Sequence, residues 1–317
     1  MNKFLIATVA WRRPEILNIF LNINKKYCDV LCVKSPEDTM LSNLKNHDNV
    51  YIIEAPNYPL GAKLNKRVEW FLNNKEYTHI IFLGSDDVLS PKAFEKLEEY
   101  SKIYDLINWS DIYYYSIDKK KCIYSSGYDK TRRDEPLAPG RCISRKILEG
   151  IGNSLWDEEL QRGPDGNVWG KLKNVENQIT LTSEKLQGVY VIDIKSKFNI
   201  HDFGAITKNN VVAHREDLEE ISNLIETNNE NYEFENYGVP ATKGGANKQL
   251  LNIQKYINEE FFCHCILEGN IIVYEKYHRL YKMKKHIIAL NTNDSVYVTK
   301  DSIFNIVNTQ KRPFIYE

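Results

Sequence analysis

The first hundred residues alternate between continuous apolar runs and segments in which apolar residues recur with the period of a helix. Apolar runs without alternation are typical of strands that a parallel sheet buries on both faces. The runs that predict such strands are Phe4–Val9, Asp29–Lys34, Val50–Glu54 and Thr78–Leu83. The segments that predict helices are 14–24, a short turn at 41–44, 62–73 and 90–102. This β-α-β order favours a doubly wound parallel sheet.

The pattern changes after residue 105. Ile112–Ile117 and Cys122–Ser125 flank a charged turn and predict a hairpin. Thr131–Gly140 is polar and contains proline, which predicts a loop. Farther along the chain, 194–203 predicts a strand and 214–227 predicts a helix.

A boundary is expected where the composition shifts. The segment 228–247 is rich in Asn, Gly and Glu, which predicts a linker. We therefore expect one domain over 1–227 and a C-terminal linker and accessory region over 228–317. The accessory region combines a helical opening with short strand-like runs, so we expect it to be a smaller α+β region.

Charge and composition exclude several classes of function. The 42 basic and 43 acidic side chains give a formal charge of -1, so no global field attracts a polyanion such as nucleic acid. The apolar start at Phe4–Val9 is too short for a signal peptide. No run approaches the roughly 20 apolar residues that a membrane span needs. The expected location is the cytoplasm.

The six cysteines include no Cys-x-x-Cys pair. Cys263-His264-Cys265 is the one cluster that suggests a metal, and it lacks a second pair of cysteines or histidines at zinc-site spacing. Buried or free thiols in a reducing compartment are therefore the expected state of these cysteines.

Two adjacent carboxylates mark a candidate site. Ser85-Asp86-Asp87 follows a predicted strand directly, and Ser90 and Pro91 predict the start of the next helix. The carboxylates therefore belong to a loop at the carboxyl end of a strand, where open α/β sheets bind ligands. Carboxylate oxygens suit Mg2+ or Mn2+, which usually take one or two protein carboxylates beside substrate phosphates. Considered alone, the pair can equally be a turn or helix-entry acid.

Further segments accompany this motif. They are Phe4–Leu17, Leu60–Asn65, Thr78–Asp87, Leu89–Pro91, Leu155–Leu160, Gly163–Gly166 and Trp169–Leu172. In content, order and spacing this set resembles glycosyltransferase family 2 and its GT-A relatives, over about residues 3–205. The resemblance implies a GT-A (Rossmann-like) α/β fold, in which helices flank a mostly parallel sheet. It also implies a nucleotide-binding half over about 1–105 and an acceptor half over about 106–227.

The resemblance implies a metal-dependent transfer of a sugar from a nucleotide sugar to an acceptor hydroxyl, with inversion at the anomeric carbon. Asp87 is expected to bind Mn2+ or Mg2+, and His201 matches the position of a further metal ligand. Asp86 is expected to assist through the ribose or a metal-bound water. Asp165 is expected to be the general base that takes the proton of the acceptor hydroxyl.

The remaining implied contacts belong to the donor. The expected donor site comprises Thr8, Ala10, Arg12, Asp38 or its neighbour Glu37, Lys63, Asn65, Ser85 and Asp86. A UDP-sugar is the expected donor, and a glycan or another hydroxyl-bearing molecule is the expected acceptor. Ser85 stands where the family usually has an acid, and it can bond a ribose hydroxyl or water. A solvated charge pair is the alternative for Arg12 and Arg13.

The stretch from Tyr274 to His286 is basic and rich in tyrosine. Such a patch can stack on nucleic acid or lie against an anionic membrane. The alternative is a solvated helix face whose tyrosines pack inward, and the near-neutral total charge favours it. A nucleic-acid acceptor is therefore unsupported by the sequence.

Other classes of protein share parts of this pattern. A nucleotidyltransferase is expected to carry a glycine-rich phosphate loop after the first strand, where this chain has Val9-Ala10-Trp11-Arg12-Arg13-Pro14. A glycosidase separates two carboxyl groups across the scissile bond, which the adjacent Asp86 and Asp87 cannot do. A non-catalytic sugar-nucleotide or glycan-binding protein of the same fold stays open, because Ser85 and Pro164 depart from the family pattern.

Overall fold

In the computed structural model, the described residues are 2–128, 132, 135–152, 154–196, 203–206, 211–212, 215–229, 274–275, 279–280, 289–291 and 294–295. The chain divides into two compact units, and the described residues up to 229 belong to the first. Its strands are β1 (Phe4–Val9), β2 (Asp29–Lys34), β3 (Val50–Glu54), β4 (His79–Phe82), β5 (Asp87–Leu89), β6 (Leu106–Trp109), β7 (Ile112–Ser116), β8 (Lys121–Ser125), β9 (Leu137–Ser144), β10 (Gln178–Leu181), β11 (Val191–Lys195) and β12 (Val211–Val212). Its helices are α1 (Pro14–Asn24), α2 (Leu60–Asn73), α3 (Pro91–Tyr100), α4 (Arg145–Ile151), α5 (Pro164–Leu172), α6 (Phe203–Ile206) and α7 (Arg215–Glu226).

The larger sheet has seven strands in the order β10-β6-β9-β4-β1-β2-β3. The strands β4, β1, β2 and β3 are parallel, as the apolar runs predict. One antiparallel strand, β9, lies between β4 and β6. The predicted α/β class with a mostly parallel sheet is confirmed.

Helices pack against both faces of this sheet. Strand β1 contributes apolar side chains to both of the resulting cores. Phe4 and Ile6 belong to a buried core that includes residues of α1 and α3. Leu5 and Ala7 point the other way, into a core that includes residues of α2, α4 and α5. Successive side chains of a strand alternate between faces, so a continuous apolar run supplies both cores.

A second sheet has five strands in the order β12-β8-β7-β11-β5. The predicted hairpin of β7 and β8 is confirmed as an antiparallel pair. Helix α1 packs between the two sheets: Leu17 and Phe20 enter the core of the larger sheet, whereas Ile19 and Ile23 pack with β5, β7, β11 and α7. This double contact explains why α1 is buried along almost its whole length.

Two predicted elements differ from the structure. Strand β9 begins at Leu137, within the segment predicted to be a loop. The strand expected over 194–203 is β11, which covers Val191–Lys195, and Phe203 begins helix α6. The displacement brings Asp193 into a strand.

The described residues of the second unit form two antiparallel strand pairs. One pair consists of β13 (Tyr274–Glu275) and β14 (Arg279–Leu280), and the other of β15 (Ala289–Asn291) and β16 (Asp294–Ser295). His201, the Cys263-His264-Cys265 cluster and most of the basic aromatic stretch lie outside the described residues. Within the part of the chain that is described, no helix has the length and apolarity needed to cross a membrane.

Candidate active site

The motif Ser85-Asp86-Asp87 lies where the chain passes from β4 in the larger sheet to β5 in the second sheet. The backbone turns tightly here: the Asp87 N–H donates to the Gly84 carbonyl at 3.1 Å, and the Gly84 N–H donates to Asp87 Oδ2 at 2.6 Å. A Cβ atom on Gly84 would lie 2.7 Å from that same carboxylate oxygen. Glycine at position 84 therefore lets the backbone hold the Asp87 carboxylate.

Arg13 connects the motif to the start of α1. The residue has φ 57° and ψ 54°, a left-handed conformation, as the N-cap of the helix. Its guanidinium donates to Asp86 Oδ2 at 2.8 Å and to Ser85 Oγ at 3.1 Å. Burial alone would raise the pKa of Asp86, but the charges of Arg13 and Lys195 outweigh it and lower that pKa. Asp86 is thus an ionised partner of Arg13.

A third carboxylate joins the motif from β11. Asp193 stands opposite Asp87 in the antiparallel register of β5 and β11, and opposed residues have Cβ atoms about 5 Å apart. Lys195 Nζ donates to Asp193 Oδ2 at 2.6 Å. The other oxygen, Oδ1, is buried and has no hydrogen-bond partner among the described residues. Burial and the charge of Asp86 raise the pKa of Asp193 to about 7, although Lys195 opposes this shift.

This cluster carries an excess of negative charge when all its groups are ionised. Asp86, Asp87 and Asp193 contribute three negative charges, and Arg13 and Lys195 contribute two positive ones, which leaves one negative charge. Burial, followed by the charges of Asp193 and Asp86, raises the pKa of Asp87 well above its ordinary value. The cluster is therefore suited to bind an additional cation next to Asp87.

The carboxylate oxygens of the cluster fit a metal ion that the phosphates of a substrate also bind. Among the described residues, no group of three His, Cys, Asp or Glu side chains is arranged to hold a metal ion by itself. Mg2+ usually keeps several waters and binds through one or two carboxylates and substrate phosphates. Asp87, with the unpartnered Asp193 oxygen nearby, satisfies that smaller requirement.

The predicted donor residues at the ends of β1 and β2 also lie together. The Arg12 N–H donates to Asp38 Oδ2, and the Met40 N–H donates to Asp38 Oδ1 at 3.2 Å. Burial raises the pKa of Asp38 despite these bonds. Thr8 is fully buried in β1, and Ala10 follows that strand. Asp38 thus caps the turn after β2 and ties it to the β1–α1 loop.

Lys63, predicted to approach a diphosphate, is almost completely buried on α2. Its ammonium donates to Ala10 O at 2.7 Å, Ser35 Oγ at 2.7 Å and Asn57 Oδ1 at 3.1 Å. Burial lowers its pKa to about 8, so the side chain is mostly protonated at neutral pH. The lysine holds three loops together at the edge of the sheet where β1 and β2 end.

Asn65, two residues after Lys63 on α2, contacts a different segment. Its Nδ2 donates to Trp156 O at 2.7 Å and to Ser154 Oγ at 3.2 Å, and its Oδ1 accepts from the Trp156 N–H at 2.9 Å. Both ends of the amide are engaged, so Asn65 fastens α2 to the segment before α5.

Asp165, the predicted base, lies at the start of α5 and is half-buried. Tyr128 Oη donates to Asp165 Oδ2 at 2.7 Å. Burial raises the pKa of Tyr114 to about 12, with further contributions from the charges of Asp193, Asp87 and Asp165. The carboxylates of Asp87, Asp193 and Asp165 therefore all act electrostatically on one tyrosine of β7.

Four residues of the candidate site are not predicted from the sequence: Arg13, Tyr128, Asp193 and Lys195. Asp193 and Lys195 alternate with apolar residues in Val-Ile-Asp-Ile-Lys, which is the pattern of a strand with one solvated face. Only the pairing of β11 with β5 shows that this face meets the motif. The charge of Arg13 is evident from the sequence, but the turn that directs its guanidinium to Asp86 has no sequence signal.

Comparison with known proteins gives matches among solved structures only. No family model matches the chain, and no curated protein matches it. Staphylococcus aureus TarS 1-349 in complex with UDP-GlcNAc is 14% identical, over 71% of this chain and 66% of that chain, with a TM-score of 0.43. Rv0371c from Mycobacterium tuberculosis H37Rv in complex with manganese is 9% identical, over 71% and 98%, with a TM-score of 0.40. A197 from STIV is 16% identical, over 57% and 82%, with a TM-score of 0.37. All three TM-scores are below 0.5.

Proposed function

We propose that this chain is a nucleotide-sugar-dependent glycosyltransferase that uses Mn2+ or Mg2+ and inverts the anomeric carbon. The observation that carries the proposal is the acidic cluster at the passage from β4 to β5, which joins the buried Asp87 to the half-buried Asp86 and Asp193. It lies at the carboxyl end of a parallel strand, where open α/β sheets bind their ligands. A UDP-sugar is the proposed donor, and a molecule with a free hydroxyl is the proposed acceptor.

The reaction requires charge to be stabilised on the departing diphosphate. A divalent cation supplies that stabilisation by binding both phosphates. Asp87 is the protein carboxylate proposed to hold it, because its neighbours Asp86 and Asp193 already have cationic partners. Arg13 keeps Asp86 and Ser85 in place, so that both can orient the ribose or a water molecule.

Asp165 is proposed to remove the proton of the acceptor hydroxyl. A carboxylate can act as the base because the proton moves as the new bond forms, provided that the hydroxyl lies within hydrogen-bond reach. Its Oδ2 is already bonded to Tyr128, which leaves Oδ1 for the acceptor. The donor contacts are proposed to come from Thr8, Ala10, Arg12 and Asp38, with Lys63 and Asn65 shaping the floor of the site.

The first test is incubation with a panel of UDP-, GDP- and TDP-sugars, including UDP-GlcNAc, in the presence of Mn2+, Mg2+ or EDTA. We expect release of nucleoside diphosphate from one donor with metal and none with EDTA. Binding of a sugar nucleotide without turnover under all conditions would contradict the enzyme and favour a non-catalytic binding protein of the same fold.

Two variants then assign the roles. Asp87→Asn should weaken metal-dependent donor binding, measured by calorimetry, whereas Asp165→Asn should spare donor binding and reduce transfer by a factor of about a hundred or more. Asp157→Asn is the matched control, because this exposed aspartate bonds Asn167 and Lys171 outside the cluster. Unchanged donor affinity in Asp87→Asn would remove Asp87 from the site, and near-normal transfer in Asp165→Asn would assign the base to another group.

A further inference from the structure

Tyr128, in the segment after β8, is hydrogen-bonded to Asp165 at the start of helix α5. The phenol oxygen lies 2.7 Å from Asp165 Oδ2. We propose that Tyr128 is a positioning residue, which holds one oxygen of the Asp165 carboxylate so that the other faces the acceptor hydroxyl. The inference rests on the proposed function, since it deepens the role assigned there to Asp165.

The backbone brings Tyr128 to this place through a constrained turn. Gly127 has φ 103°, and a Cβ atom there would lie 2.3 Å from the Ser110 carbonyl oxygen. Only glycine fits so close an approach with this backbone conformation. The turn after β8 therefore fixes the direction in which the next side chain, Tyr128, leaves the sheet.

The aromatic ring of Tyr128 also contacts the guanidinium of Arg132. The guanidinium carbon of Arg132 lies 3.7 Å from the ring centroid, and Arg132 Nε donates to Glu135 Oε2 at 2.6 Å. A cation over an aromatic face is attracted by the ring quadrupole. Burial and the charge of Asp165 raise the pKa of Tyr128, so the phenol keeps its proton and acts as a donor throughout the neutral range.

Other charged groups lie near Asp165, and among the described residues none of them is hydrogen-bonded to it. Arg132, Glu135 and Arg141 lie within electrostatic range of this region, as does Tyr114 of β7. Arg141 of β9 is buried, and its guanidinium is committed to Asn108 Oδ1 at 2.9 Å and to two backbone carbonyls. Within the described part of the chain, Tyr128 is therefore the side chain that sets the direction of the carboxylate.

The proposed step conserves the Tyr128 proton. The acceptor O–H bond breaks as its oxygen bonds the anomeric carbon, and the proton passes to Asp165 Oδ1. The bond from the anomeric carbon to the diphosphate breaks, and its electron pair leaves with the phosphate oxygen. Tyr128 donates its hydrogen bond to Oδ2 before and after the transfer. Loss of that bond should make the carboxylate easier to protonate, since a donor favours the ionised form.

The test compares Tyr128→Phe with Tyr124→Phe. Tyr124 is the matched control because its hydroxyl donates to another aspartate, Asp111 Oδ2, at 3.1 Å. We expect Tyr128→Phe to move the acidic limb of the kcat/KM profile to higher pH by about one unit, with the donor KM unchanged. Tyr124→Phe should leave the limb in place. An unmoved limb in Tyr128→Phe, or an equal movement in both variants, would overturn the positioning role.

A second readout does not depend on turnover. The carboxyl carbon of Asp165 is titrated by carbon-13 NMR in aspartate-labelled protein, with the resonance assigned by its loss in Asp165→Asn. The titration should move to higher pH in Tyr128→Phe and stay in place in Tyr124→Phe. If wild-type protein transfers no sugar from any donor, the proposed function fails, whereas this titration still decides whether Tyr128 acts on Asp165.

A second substitution, with the opposite expected effect on the titration of Asp165, tests the inference if Tyr128→Phe does not fold. Incorporation of 3-fluorotyrosine at position 128 keeps the ring and makes the phenol a stronger donor. We expect the Asp165 titration and the acidic limb to move to lower pH. A titration that stays where it is in wild-type protein would contradict the hydrogen bond on which the inference is built.

Discussion

At the scale of single residues, the acidic cluster that is proposed to bind a cation also lowers the stability of the folded protein. Asp87 is buried beside Asp86 and Asp193, and its pKa is raised well above the ordinary value by burial and by those two charges. A carboxylate in such surroundings destabilises the folded state when it ionises. Residues that are retained at such a cost are typical of binding and catalytic sites.

The destabilising effect of Asp87 should depend on pH. A raised pKa in the folded state means that the contribution of Asp87 to stability is present at low pH and is lost as the pH rises through the folded-state value. The asparagine side chain of the Asp87→Asn variant does not titrate. In EDTA the variant should therefore have a higher melting temperature than wild type at pH 8. The gain should shrink towards pH 4. A melting temperature below that of wild type at pH 8 would contradict the electrostatic account of the cluster.

Asp105→Asn is a control with the opposite expected sign. Hydrogen bonds from Lys146, Ser144 and Asn177 outweigh the effect of burial and lower the pKa of Asp105. Its contribution to stability is therefore present at neutral pH and is lost as the pH falls. Asp105→Asn should melt below wild type at pH 8, and the difference should shrink towards pH 4. Both variants are measured by the same thermal scan.

At the scale of elements, the loop between β1 and α1 carries two consecutive residues with positive φ. Arg12 has φ 59° and Arg13 has φ 57°, and the left-handed conformation costs an ordinary residue about 1–2 kcal/mol. The two residues hold that conformation for different purposes. Arg12 contributes its backbone N–H to Asp38, and Arg13 contributes its side chain to Asp86 and Ser85.

Glycine substitutions should separate these purposes. Arg12→Gly relieves the left-handed strain and keeps the bond to Asp38, so its unfolding free energy should not fall below that of wild type. Arg13→Gly relieves the same strain but leaves Asp86 without its main cation, which should lower the unfolding free energy by about 1–3 kcal/mol. Chemical denaturation measures both. An equal loss in the two variants would mean that the Arg13 ion pair contributes nothing.

The elements differ in how well the sequence predicts them. Strands β1 to β4 are predicted because their apolar runs are continuous, and helix α1 is predicted because its apolar residues recur with the period of a helix. Strand β9 is missed because Pro139, Gly140 and Arg141 interrupt it. In the structure, the Arg141 guanidinium donates hydrogen bonds to Asn108 and to two backbone carbonyls. No local sequence pattern predicts these contacts.

The candidate site divides in the same way. Ser85, Asp86, Asp87 and Asp165 are predicted because a motif marks them. Asp193 is missed because its partner is 106 residues away in the chain, on a strand of three residues, Asp87–Leu89. Sequence periodicity identifies the exposed or buried face of a strand but does not identify which strand lies beside it.

At the scale of the whole molecule, the first unit is held together by α1 and α7. The cores described above draw their members from Phe4 to Ile225. The end of α7 is tied to α1, because Lys26 Nζ donates to Asn228 Oδ1 at 2.6 Å and Asn22 Nδ2 donates to Asn228 O at 3.2 Å. Helix α7 therefore packs beside α1 in the core that both helices share with β5, β7 and β11.

Truncation tests this architecture. A chain ending at Tyr232 keeps every member of those cores and should unfold in one cooperative transition close to that of the full chain. A chain ending at Val212 also loses Ile221 and Ile225, two fully buried side chains of α7 worth about 1.5–3 kcal/mol each. With about 2–4 °C per kcal/mol for a unit of this size, it should melt roughly 10 °C lower. Circular dichroism measures both, and a broad, non-cooperative transition in the chain ending at Tyr232 would show that the first unit depends on residues beyond it.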